Sequence, residues 1–169
     1  MVWIDDATWA AIQASVPIVC ADLIPMRRVA DRLEVGLIHR AAPFDDQPRW
    51  CQLGGRVRHG ETVRAALLRH LHETLHGVSV ELPADPQPDY VMQWFPDLAP
   101  LDGDGATYGL DPRQHAVSLC YRVELIGEPT AVDGGEGHEF RWFDAATIAD
   151  ELADTAWPGT LHMVRQLLP

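Results

Sequence analysis

The stretch richest in chemistry is Gly54-Gly55-Arg56-Val57-Arg58-His59-Gly60-Glu61, followed by Arg69, His70, Glu73 and Thr74. Paired glycines after a strand let backbone groups approach a ligand closely. Residues 69, 70, 73 and 74 stand three and four apart, so a helix places them on nearly one face. A guanidinium, an imidazole and a carboxylate beside a glycine loop suit a metal ion or a phosphate. An imidazole donor would move the preference from Mg²⁺ toward Mn²⁺, Zn²⁺ or Fe²⁺. The alternative is that His70 only hydrogen-bonds locally. His72 and His76, also four apart, point away from His70 and read as surface residues.

Other groups add to this set. Glu136, His138 and Glu139 follow Gly134-Gly135. A carboxylate or imidazole there could activate water, and histidine titrates naturally near neutral pH. Arg40, Arg56 and Arg58 could clamp a diphosphate through bidentate hydrogen bonds. Asp22 lies in an apolar run, where an unpaired carboxylate is costly. Trp94, Phe95 and Tyr108 could stack a base or sugar, or could pack in a core or lid.

These residues must be held by ordered elements. Asp5 or Asp6 can cap a helix reaching Ser15, stopped by Pro17. Residues 17–26 and 33–40 read as strands, with residues 27–32 as the turn between them. A Pro- and Asp-rich loop at 41–50 leads into a short strand at 50–53. Residues 60–77 carry Leu67, Leu68, Leu71 and Leu75 at helical spacing, ending at Gly77. Strands follow at 89–95 and 115–126, separated by a long Gly/Asp/Pro loop, then a short strand at 139–143. Asp144 would cap a helix over 145–153, and residues 160–168 form the last. Sequential βαβ alternation is absent, which favours an α/β sandwich with a mixed sheet over a doubly wound parallel fold.

Composition narrows the function classes. The chain has 169 residues, which suits one domain with a core of its own. Its net charge is −12 and its 13 basic residues are all arginine, so neither nucleic acid nor an anionic membrane is an expected partner. With no lysine, any phosphate must be held by arginine forks or a metal. The three cysteines are widely spaced, which argues against a disulfide framework or a cysteine zinc site. No apolar run is long enough for a membrane span, and the N-terminus lacks the basic and apolar regions of a signal peptide. The expectation is a cytoplasmic protein.

The 54–77 stretch resembles the Nudix hydrolase box, G-x5-E-x7-R-E-U-x-E-E-x-G-U, where U is a bulky aliphatic. Gly55, Glu61, Arg69, Leu71 and Glu73 stand in register. His70 and Thr74 replace the first and last helical glutamates, and His76 takes the glycine position. Beyond the box, residues 5 to 150 are most similar to the GDP-mannose mannosyl hydrolase branch. Ser15-Val16-Pro17 leads into the strand bearing Asp22, Arg40 ends the second strand, Gly54 to Val57 reads Gly-Gly-Arg-Val, and Arg141-Trp142 occurs late.

The resemblance implies a single Nudix-like α/β/α sandwich over residues 1–169, with the box at about 55–77. It implies a hydrolase of a nucleoside diphosphate linked to another moiety, with a nucleotide sugar as the leading class. Water would attack the sugar carbon or phosphorus. Glu61 and Arg69 would pair to orient loop and helix. A divalent metal (Mg²⁺ or Mn²⁺, with Zn²⁺ as an alternative) would be held by His70, Glu73, Glu136 and the Gly54 or Gly55 carbonyl. His138 or Glu139 would act as base, and Asp22, Arg40, Arg56 and Trp94 would contact substrate. The branch's helical metal glutamate falls on Thr74, its late histidine on Gly137 beside His138, and its metal-binding glutamine on Glu136. A homodimer is implied, with the N-terminal helix and its Trp3 and Trp9 as candidate interface. The competing expectation is a catalytically inactive Nudix-like protein that binds a nucleotide or related metabolite.

Overall fold

The computed structural model describes residues 4–42, 47–101, 103, 106–133 and 137–169. The first helix, α1 (Asp6–Ser15), starts where Asp5 accepts a 2.9 Å hydrogen bond from the Thr8 amide. No residue of α1 is buried, but Trp9 and Ile12 pack against the core from its edge.

Two long strands follow, β1 (Ile18–Val29) and β2 (Arg32–Ala41), paired antiparallel as a hairpin. The expected turn over 27–32 shrinks to Ala30 and Asp31, because Val29 pairs directly with Arg32. Arg28 and Val29 are exposed where the hairpin runs beyond the core, so side-chain polarity there does not report backbone state. β3 (Pro48–Cys51) pairs with β2, and β4 (Leu53–Arg56) pairs with the first half of β1.

The box helix is α2 (Val63–Thr74). Thr62 caps it by accepting from the Ala65 amide at 3.1 Å, and Ala66, Leu67 and Leu71 are buried beneath it. It ends three residues before the expected Gly77. Leu75 turns into extended geometry and begins β5 (Leu75–Ser79), which pairs with β9 (Ile126–Ala131) in a separate two-stranded sheet. The expected single strand over 115–126 accordingly splits into β8 (Ala116–Val123) and β9.

The main sheet is mixed. β1 runs parallel to β8 over eight residue pairs, β8 is antiparallel to β6 (Tyr90–Phe95), and β6 is parallel to the two-residue β7 (Gly109–Leu110). β10 (Glu139–Asp144) closes the other edge against β2. The long 96–114 loop thus carries a 3₁₀ turn at Ala99–Leu101 and an edge strand. The expected 145–153 helix is only α3 (Ile148–Glu151), and Asp144 serves a turn through the Ala146 amide instead. Finally α4 (Thr160–Leu167) buries Met163, Val164 and Leu167.

α2 and α4 lie on opposite faces. A Cβ placed on Gly55 would meet His70 of α2, whereas the residue just before α4, Gly159, lies against Met92 and Trp94. The α/β/α layering with a curled mixed sheet agrees with the expected architecture.

Candidate functional site around the box loop

The box loop is tied down by one arginine. Arg69 donates through Nε to Glu61 Oε1 at 2.7 Å and through Nη2 to Glu61 Oε2 at 2.8 Å. Nη2 also reaches the Arg56 carbonyl at 3.1 Å, and Nη1 reaches Glu73 Oε2 at 3.1 Å. Glu61 in turn accepts from the Arg58 amide at 2.9 Å. The Arg69 guanidinium and that amide hold the Glu61 carboxyl down at about 2. Two-point, charge-assisted contact of this kind is the strong form of an ion pair and fixes direction as well as distance. The expected Glu61–Arg69 pair is present, and it joins the start of the box to the middle of α2.

His70 is buried at 8% exposure. Its Nε2 lies 3.2 Å from the Arg56 carbonyl, which can only accept, so Nε2 carries the proton. Nδ1 then accepts from Arg69 Nη1 at 3.4 Å. Glu73 Oε2 is 4.0 Å from Nδ1, and its other oxygen is 3.5 Å from Arg58 Nη2. Thr74 is buried at 4% exposure, with the Val132 amide on its carbonyl and Gly137 beside its side chain.

These contacts decide how well a divalent metal fits. Such an ion needs several oxygen or nitrogen donors converging on one point. Among the described residues, no group of three His, Cys, Asp or Glu side chains converges in this way. Both His70 nitrogens are engaged by backbone and guanidinium, and Glu73 is paired with two arginines. The Gly55 carbonyl belongs to a residue in register with Ala21 of β1. The expected ligand set is not complete among the described residues, because Glu136 lies outside them.

β4 is a wall with chemistry on both sides. Gly54 and Gly55 take φ of +143° and +155°, values an L side chain rarely adopts. A Cβ on Gly55 would sit 2.9 Å from His70 Cε1, and one on Gly54 would collide with Asp22. Consecutive strand residues face opposite ways, so the box helix and Asp22 address the same strand from different faces.

Asp22 is 4% exposed and hydrogen-bonds Ser118 and Gln52. Burial pushes its carboxyl up to about 7, against the opposing pull of those hydrogen bonds and of Arg40. Gln52 is fixed in turn by Thr160, whose hydroxyl donates to Gln52 Oε1 at 3.0 Å. Arg40 lies with its guanidinium 5.7 Å from the Trp157 ring centroid, and Arg56 lies 4.2 Å over Trp9. Ser118, Gln52, Thr160, Asp111, Arg113 and Trp157 were not among the expected site residues. Only the Asp111-Pro112-Arg113 turn signal marked any of them in the chain.

Three more expected residues have the following surroundings. Trp94 is corrected to the core, being 4% exposed with Gly109 packed on its ring, so it presents no stacking surface. Glu139 is exposed at the start of β10, paired with His39, and exposed His138 donates its amide to the His39 carbonyl. Neighbouring Gly137 abuts Thr74 of α2. Cys20, Cys51 and Cys120 are buried free thiols.

A family model described as Domain of unknown function (DUF4916) matches residues 1–169. The chain belongs to that family. No curated protein matches the DUF4916 chain in sequence. Among solved structures, a Jonesia denitrificans protein described as a possible asymmetric diadenosine tetraphosphate hydrolase is 30% identical. That match covers 90% of this chain and 92% of the other, with a TM-score of 0.74. A MutT NUDIX hydrolase from Burkholderia pseudomallei is 23% identical, covering 91% and 100% with a TM-score of 0.64. The NUDIX domain of Shewanella oneidensis NrtR, solved with ADP ribose, is 19% identical, covering 96% and 96% with a TM-score of 0.57. This DUF4916 chain has the Nudix fold.

Proposed function

We propose that this chain hydrolyses a nucleoside diphosphate linked to a second moiety, at the box loop between β4 and α2. The observation that carries the reading is the Glu61–Arg69 clamp, which holds the Gly54–Glu61 loop through its backbone. Nudix-fold neighbours and the 30% identical relative support the reaction class. Arg40, Arg56 and Arg58 are the groups suited to neutralise charge on the leaving diphosphate. His138 or Glu139 would activate the attacking water. The second moiety is a sugar in the branch the sequence resembles, and a second nucleotide for the described Jonesia relative.

Product analysis by mass spectrometry tests this. The panel is nucleotide sugars, dinucleotides and nucleoside triphosphates with Mg²⁺, Mn²⁺ and Zn²⁺ in turn. Free sugar plus nucleoside diphosphate identifies attack at carbon; nucleoside monophosphate plus a phosphorylated fragment identifies attack at phosphorus. A second reading, binding without turnover, is favoured by one observation: the His70 and Glu73 groups that a metal would use are engaged by Arg56, Arg58 and Arg69. Micromolar binding with no product under any metal would establish that reading in place of the first.

A further inference from the structure

One arginine of the box loop is held from both ends. The Arg56 carbonyl accepts from Arg69 Nη2 at 3.1 Å and lies 3.2 Å from His70 Nε2, so α2 fixes its backbone. Its guanidinium lies 4.2 Å over the Trp9 ring of α1. Arg56 stands in register with Cys20 of β1. Strand alternation therefore sends its side chain to the same side of β4 as Gly54, where Asp22 sits, and away from His70. Arg58, Arg69 and Arg113 are each paired with a carboxylate. Among the described residues, none pairs with Arg56, whose contact is the indole face.

Trp9 is itself positioned. Its amide donates to the Asp5 carbonyl at 2.9 Å, within the turn that Asp5 caps. One turn further, Gln13 donates to Gln114 at 2.9 Å. Gln114 ends the turn in which Arg113 forks onto Asp111, and its own amide donates to the Asp111 carbonyl at 3.2 Å. Trp9 and Ile12 rest on the core, yet no residue of α1 is buried, so core burial alone is a weak reason for its placement.

A guanidinium stacked on a ring uses its face and keeps its in-plane N–H donors. Those donors grip phosphate oxygens in pairs. A free arginine side chain samples many rotamers and loses that freedom on binding. Stacking on Trp9 restricts those rotamers before an anion arrives.

Resting on the function proposed above, we propose that Trp9 is a positioning residue, which holds the Arg56 guanidinium with its N–H edge open to the diphosphate and makes α1 part of the site.

Calorimetry of the full chain with inorganic pyrophosphate, Mg²⁺ present, tests this through a double-mutant cycle. Arg56→Gln should weaken binding about tenfold. Trp9→Ala should weaken it about two- to fivefold, and Trp9→Leu equally, since apolar bulk without a flat ring does not stack. Trp9→Phe keeps a ring and should recover most of the affinity. In the Arg56→Gln background, replacing Trp9 should have no further effect. Melting temperatures check folding, and if Trp9→Ala lowers it, the Leu and Phe variants carry the comparison. A Trp9 that only supports α1 gives the same loss whether Arg56 is present or replaced, and that additivity overturns the proposal. So does a Trp9→Leu variant that binds as the wild type does, or a wild type that fails to bind pyrophosphate at millimolar concentration. Coupled effects of Trp9 and Arg56 without turnover of any nucleotide uphold the positioning role and overturn the hydrolase reading. Turnover that Trp9→Leu and Arg56→Gln leave unchanged does the reverse.

Discussion

At the residue scale, two carboxyls near β4 are driven in opposite directions by their surroundings. Glu61 is held down by Arg69 and the Arg58 amide, so its folded pKa of about 2 lies below the ordinary 4.5. The ionised form stabilises the fold above the ordinary value, and that contribution is lost as pH falls from about 4.5 through about 2. Urea unfolding over pH 2 to 6 should show this slope, and Glu61→Gln should flatten it. Asp22 behaves in the reverse sense. Burial raises its pKa from 3.8 to about 7, so its favourable protonated state is lost as pH climbs through that interval. Asp22→Asn should therefore be more stable than the wild type at pH 8, with the advantage shrinking toward pH 4.

At the element scale, β4 transmits geometry between the two faces. Gly55→Ala puts a methyl 2.9 Å from His70 Cε1 at a strained φ, and should cost about 1–3 kcal/mol in chemical denaturation. It should also displace His70 from the Arg56 carbonyl, visible as a changed imidazole chemical shift by NMR. Inside α2, Leu71 is fully buried, and Leu71→Ala should cost about 2–5 kcal/mol by opening a cavity under the box helix. The hydrophobic spacing of α2 was legible in the chain, because helical periodicity at Leu67 and Leu71 is local. Its end was not, since Leu75 leaves the helix to pair with Ala131 across the molecule.

At the scale of the whole molecule, the layers set the surroundings of the candidate site at β4. α2 covers one face of the mixed sheet and α4 the other, so a strand with two glycines is reached from both. Among the described residues, no helix is long and apolar enough to cross a membrane. A homodimer remains a proposal. Trp3 lies outside the described residues, and Trp9 already packs against the core with Arg56 over its ring. Light scattering at micromolar concentration should give twice the 18.8 kDa chain mass, and a monomer mass rejects it.

The chain alone determined what depends on short spacing: the Gly-Gly loop, the capped helix with its leucines, and Glu61 and Arg69 eight positions apart. The resemblance also set His70 and Thr74 at positions where the box carries glutamates. Only the tertiary structure decided what those residues do, because partners arrive from distant segments. His70 became an anchor for the Arg56 carbonyl, Trp94 a core residue under Gly109, and Asp111 the holder of Arg113 beside Trp157. Side-chain type limits the chemistry a residue can perform, but burial and partner geometry select among those chemistries, and both are set by contacts across the sheet.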